Sequence, residues 1–190
     1  GVFLNGTAIR VRGPANVSPD IIVQGTYAGN WLLISQRHIV LIGDLMPAHD
    51  PRFGPSDDIM GLIPAEQAQG LRGKMKIPDL IPGYPTGIDG DRQLCAFVLV
   101  PYREGTWEVV NFSTRAREGI LLLMGGVGFG CIGPTETSDF LHGYGTDIWY
   151  DGRACEKGTP PPCFPEMVSE QGNRPVWNVA QMDSSWREIY

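Results

Sequence analysis

Leu94-Cys-Ala-Phe-Val-Leu-Val-Pro-Tyr102, then Arg103-Glu-Gly-Thr106, then Trp107-Glu-Val-Val-Asn-Phe-Ser113, is the stretch on which the fold turns. Two runs rich in Val, Phe and Trp flank a four-residue connection containing glycine, and that pattern predicts a β-hairpin. Elsewhere, 25 glycines and 16 prolines in the whole chain leave short apolar segments of strand length. Besides the hairpin these are Ala8 to Arg12, Ile21 to Gln24, Trp31 to Ser35, His38 to Gly43, Ile120 to Met124, Phe129 to Ile132, Thr146 to Tyr150 and Val176 to Met182. Their Val, Ile, Tyr, Phe and Trp content suits a pleated surface. A single stretch, Pro64-Ala-Glu-Gln-Ala-Gln-Gly70, reads as helix, with Pro at its entry and Gly as its stop.

Two long Pro/Gly-rich stretches interrupt the strands. Between Gly43 and Asp91 lie seven of the 16 prolines. An excursion that long is unusual in a compact domain, so it is either a functional elaboration or contains short strands near Ile59 and Met75. The second runs from Asp151 to Pro175, and both are expected to fold back over the sheets. The predicted architecture is all-β: a compact barrel or sandwich of many short antiparallel strands, long Pro/Gly-rich loops and at most one or two short helices. A chain of 190 residues fits one domain over 1–190, burying roughly 70% of its unfolded surface.

An apolar fraction of 42% against 19% charged residues supports a folded core. The net charge of −6 disfavours nucleic acid and anionic membrane as partners. No apolar run approaches the roughly 20 residues that span a bilayer, so a soluble protein without membrane insertion is expected. The opening at Gly1 on a strand-like Val2-Phe3-Leu4 reads as a piece of a longer polypeptide. Cys155 and Cys163 flank a proline-rich segment that a disulfide would close, which points to oxidising surroundings; two loop thiols are the alternative. Cys95 and Cys131 lie in apolar runs and are expected to be buried, inert thiols.

Catalytic patterns are weak. Ser35, His38 and Asp44 form the one local Ser/His/Asp candidate, but on an extended segment residues three apart face opposite ways. His38, His49 and His142 lack metal-ligand spacing, and Asp89-Gly-Asp91 departs from a calcium loop after its second carboxylate. Gly125-Gly-Val-Gly-Phe-Gly130 fits no phosphate-binding pattern and reads as glycines between two strands that approach closely. The sequons at Asn5, Asn16 and Asn111 carry no localisation by themselves. No catalytic residue, metal or cofactor is expected, and the chain reads as a non-enzyme.

Two features suggest recognition. Ser113, Arg115 and Arg117 alternate, so on an extended segment the guanidinium groups share a face and can grip carboxylates; a solvated strand edge accounts for them equally. Tyr144 to Arg153 sets Tyr144, Trp149 and Tyr150 beside Asp147 and Arg153, as sugar platforms and protein hot spots do. One of Trp149 and Tyr150 is expected in the core, because neighbours on a strand point opposite ways.

The opening Gly1-Val-Phe-Leu-Asn-Gly-Thr-Ala-Ile-Arg-Val-Arg12 and the close Val176-Trp-Asn-Val-Ala-Gln-Met-Asp-Ser-Ser-Trp-Arg187 resemble the astrovirus capsid spike of the avian kind, and the resemblance covers nearly the whole chain. It implies a homodimeric spike built around a small β-barrel, made in the host cytoplasm without glycosylation and displayed on the virion surface. Its implied partners are a host-cell receptor and antibodies. It assigns no binding site residue by residue, and it weakens the case for the Cys155 to Cys163 bridge. Two other readings stand beside it: a secreted carbohydrate-binding module of a larger enzyme, and a hydrolase drawing on His38, His49, Asp44 and Asp50.

Overall fold

The computed structural model describes residues 7–11, 20–35, 37–65, 73–77, 91–100, 106–110, 112–114, 119–129, 131–154, 161, 166–171, 174–178 and 186–189. The described chain is mostly extended. Its strands are β1 (Thr7–Val11), β2 (Ile21–Tyr27), β3 (Asn30–Ser35), β4 (Ile39–Pro47), β5 (Ile59–Pro64), β6 (Met75–Ile77), β7 (Arg92–Val100), β8 (Thr106–Val109), β9 (Gly119–Phe129), β10 (Cys131–Ile132), β11 (Tyr144–Tyr150), β12 (Glu166–Gln171), β13 (Arg174–Asn178) and β14 (Trp186–Ile189). One short 3-10 turn spans Gly152–Ala154. Among the described residues no helix is long and apolar enough to cross a membrane.

Consecutive strands from β1 to β11 do not pair with each other; each pairs with the strand two further on, always in parallel. One ladder runs β1, β3, β5, β7, β9, β11, and the other β2, β4, β6, β8, β10. The chain therefore winds as stacked coils, 21–35, 39–64, 75–100, 106–129 and 131–150, each advancing by one strand spacing of about 4.8 Å. β14 joins the first ladder beside β1, again in parallel. The antiparallel pair β12 and β13 forms a separate small sheet.

This corrects the antiparallel barrel or sandwich, and with it the hairpin. β7 pairs with β4, β5 and β9, whereas β8 pairs with β6 and β10. The physical reason lies in the apolar pattern. Leu94 to Val100 is buried at every position, and a hairpin with one solvated face would leave alternate residues exposed. Parallel strands covered on both faces take uninterrupted apolar runs, as in Trp31-Leu-Leu-Ile34 and Ile59-Met-Gly-Leu-Ile63. The glycine at 105 does not separate the two cases, since a corner between coils demands the same breakers as a hairpin.

Register explains the core. Trp31 stands beside Met60, Leu62 beside Val98, Ile39 beside Met75 and Met75 beside Trp107, and all belong to one buried cluster. The excursion from 43 to 91 contains strands at Ile59 and Met75, the second of its two expected forms. The segments 120–124 and 129–132 are divided differently from expectation: β9 is continuous through Phe129. Its glycines lie within the strand rather than between two. Gly125 has φ +148°, and a Cβ there would sit 2.0 Å from the Ala96 carbonyl oxygen, so the close approach is real and needs glycine. Pro64 and Ala65 form the end of β5 and its exit; the remainder of the expected helix, Glu66 to Gly70, lies outside the described residues.

Candidate binding surface

Residues 50–58 and 151–153 meet on one flank of the stack, and each stretch carries the same local motif. In Asp50-Pro-Arg52 the arginine's backbone N donates to Asp50 Oδ1 at 2.9 Å, and its Nε and Nη2 donate to the same carboxylate. In Asp151-Gly-Arg153 the backbone N donates to Asp151 Oδ1 at 3.0 Å and the guanidinium again grips both oxygens. A carboxylate two residues before an arginine thus closes a turn and orients the cation at once. The hydrogen bond from Arg52 holds the Asp50 carboxyl below its ordinary range.

Arg153 then reaches across to the other loop, Nη1 donating to the carbonyls of Ser56 at 2.7 Å and Asp58 at 3.0 Å. Asp58, nearly buried, ties the same loop inward by accepting from Gly29 N at 2.5 Å, His49 N at 2.9 Å and His49 Nδ1 at 2.9 Å. Burial pushes the Asp58 carboxyl up, but these donors outweigh it and hold the group below its usual value. Arg153 is therefore a brace, with its guanidinium engaged inside the protein, rather than the receptor-facing cation expected from the sequence. Nearby, Tyr27 Oη donates to the Cys95 carbonyl at 2.8 Å, and burial drives the Tyr27 hydroxyl far above its ordinary range.

The loop so held carries Phe53, 85% exposed, with the Arg52 guanidinium 5.4 Å from its ring centroid. In the strands, register aligns Cys95, Met124 and Trp149 and, one row along, Gln93, Leu122 and Asp147. Trp149 Nε1 donates to Asp147 Oδ2 at 3.0 Å, which fixes the indole while leaving it half exposed. Two exposed aromatics, Phe53 and Trp149, thus each stand beside a polar group, the Arg52 guanidinium and the Asp147 carboxylate.

The other expected site residues divide three ways. Trp149 and Tyr150 are both exposed, against the expectation that one is core, because among the described residues β11 is the last strand of its ladder and no further coil covers either face. Tyr144 is fully buried, its hydroxyl accepting from Arg92 Nε at 3.3 Å, and so does not face a partner. Arg115, Arg117, Cys155 and Cys163 lie outside the described residues. Cys95 is a buried free thiol, as expected, and burial raises its pKa.

The residues of the hydrolytic pool take separate partners: His49 Nδ1 pairs with the Asp58 carboxylate at 2.9 Å and Asp50 with Arg52. Ser35 Oγ accepts from Arg37 N, His38 Nδ1 from Lys74 N and Asp44 Oδ1 from Gln93 N. Among the described residues no group of three His, Cys, Asp or Glu side chains is placed to hold a metal. Sequence reasoning pointed to the stretch from Gly43 to Asp91 but missed Phe53 within it, although a lone aromatic within Asp50-Pro-Arg-Phe-Gly-Pro55 signals a turn that displays its side chain. It also missed the shared Asp-x-Arg pattern. No family model, no curated protein and no solved structure matches the chain.

Proposed function

We propose that this chain is a non-enzymatic attachment module, a surface-projecting viral capsid spike that engages a host-cell receptor and is recognised by antibodies on the virion exterior. The observation that supports it is the bracing of the 48–58 loop by Arg153 against the stack of coils, with Phe53 and Trp149 exposed. Ordered loops on a rigid scaffold bind without a large ordering cost. The resemblance of the two ends to astrovirus spikes supplies the viral assignment.

Flow cytometry with the labelled full chain tests it. Saturable binding to avian epithelial cells, competed by unlabelled chain and weakened at least about tenfold by the double substitution Phe53→Ala and Trp149→Ala at unchanged melting temperature, is the expected result. Absence of saturable binding, or binding untouched by the double substitution, contradicts it. The indole pinned by Asp147 also favours a second reading, a carbohydrate-binding module. A catalytic domain encoded beside this segment selects that reading, and a basic capsid shell domain selects the first.

A further inference from the structure

The geometry points to a second recognition site, on the outward face of β4, β6 and β8, that takes a single sulfate ester through Lys76, His38 and Arg37. The face is defined by register. Ile39, Met75, Ile77, Trp107 and Val109 belong to the core cluster, so the residues alternating with them, His38, Lys74, Lys76 and Glu108, point away from it. Val40, Lys76 and Glu108 stand side by side on three neighbouring strands, spaced by about 4.8 Å. Lys74 lies beside His38, because its backbone N donates to His38 Nδ1 at 3.1 Å and its carbonyl accepts from Ile39 N at 3.0 Å. The first of these bonds also sets the tautomer: with Nδ1 accepting, the neutral ring carries its proton on Nε2, which becomes a donor. Asp20 anchors the same corner, accepting from His38 N at 3.2 Å and pairing with Arg37 at 3.5 Å.

Charge selects the occupant. The whole chain has three lysines, at 74, 76 and 157, and two of them lie here, in a protein of net charge −6. Among the described residues, Arg37, Lys74 and Lys76 face Asp20 and Glu108, three cations against two anions, an excess of one positive charge. Lys74 Nζ is tied to Glu108 Oε2 at 3.0 Å, and the same oxygen accepts from Thr106 Oγ1 at 3.0 Å. Burial lowers the His38 pKa, and Lys76, with Arg37 and Lys74, presses it down further to about 4 against the opposing Asp20. The imidazole thus sits in a positive field that a bound anion would relieve. A sulfate ester carries one negative charge, which matches the excess, and three free oxygens for donors arriving from separate segments. A carboxylate has two oxygens, in the plane that suits one guanidinium fork. A phosphate monoester brings about −1.5 to −2 at pH 7. Because the net charge repels long polyanions, the occupant is one sulfate on a short, otherwise neutral glycan. That this glycan stands on a host cell rests on the attachment reading; the site itself does not.

Imidazole NMR of the full chain, titrated with galactose 6-sulfate, galactose and galacturonate, tests the site. Galactose 6-sulfate binds saturably with a dissociation constant on the order of 1 mM. It shifts the His38 resonances and moves the His38 titration midpoint upward from about 4, because a neighbouring anion favours the protonated ring. Galactose and galacturonate bind at least about tenfold more weakly. Lys76→Gln weakens the sulfate at least about tenfold, raises the His38 midpoint of the ligand-free chain and leaves the melting temperature unchanged. A sulfate titration without saturable shifts up to about 50 mM, galacturonate bound as tightly as the sulfate, or Lys76→Gln binding as the wild type does, each overturns the site. Cells grown in chlorate, which blocks sulfation, test the source of the sulfate. The wild type binds them at least about threefold less than untreated cells, and Lys76→Gln binds both alike. Equal binding of the wild type to both overturns the glycan source, whereas loss of all cell binding with the sulfate titration intact would strike the attachment reading alone.

Discussion

The third and fifth coils use the same register and opposite environments. In the third, Leu94 stands in the closed interior, and in the fifth Ile148 occupies the corresponding row and is half exposed. Residue type does not distinguish them; what differs is that β9 stands beside β7, whereas among the described residues no strand stands beyond β11. In a stacked-coil protein the address of a side chain along the stack sets its burial, and the end coil is where apolar residues become available for contact.

The largest effect is expected where the backbone itself permits no change. Gly125→Ala brings a Cβ against the Ala96 carbonyl at a positive φ, and should cost about 4 kcal/mol or prevent folding. Gly54→Ala, with open space around it, stays within about 0.5 kcal/mol in urea unfolding. Next comes the column itself. Leu123→Ala should cost about 2–5 kcal/mol, and Ile148→Ala less than about 1 kcal/mol; equal losses would erase the contrast between middle and end. Arg153→Met removes the brace, taking the guanidinium from Asp151 and from the Ser56 and Asp58 carbonyls, for about 1–3 kcal/mol and faster proteolysis within 48–58.

The smallest effect is a pH slope. Burial, with Lys76 adding to it and Asp20 opposing, lowers the His38 pKa to about 4 from its ordinary 6.5. The folded state therefore holds His38 neutral, and the unfolded chain takes up the proton first as pH falls. Its contribution is fully present above pH 6.5 and is lost between there and about pH 4. His38→Gln should flatten thermal stability over that window, and an unchanged slope would place the acid sensitivity elsewhere.

Strand content is legible in the sequence because Gly and Pro mark where extended runs stop, and Ile59 and Met75 show through a proline-rich stretch. Strand partners are not. Turn residues at Arg103 to Thr106 suit both a hairpin and a coil corner, and the deciding signal, unbroken apolarity from Leu94 to Val100, speaks of cover on both faces rather than of direction. The flank is half legible. Asp147, Trp149 and Arg153 stand out in the sequence, but Arg153 reads as partner-facing because its engagement by Ser56 and Asp58 joins two loops distant in the chain. Tyr144 misleads for a related reason, since nothing in Tyr-Gly-Thr-Asp-Ile-Trp-Tyr tells which end of the strand is inside.

Interstrand nuclear Overhauser effects in the labelled chain put the parallel stack at stake. Contacts between the backbones of Leu94 and Leu123 and of Val98 and Val127, with none joining Val100 to Val109 as a hairpin pair, are the expected result. A ladder of contacts running antiparallel from β7 directly into β8 would contradict it.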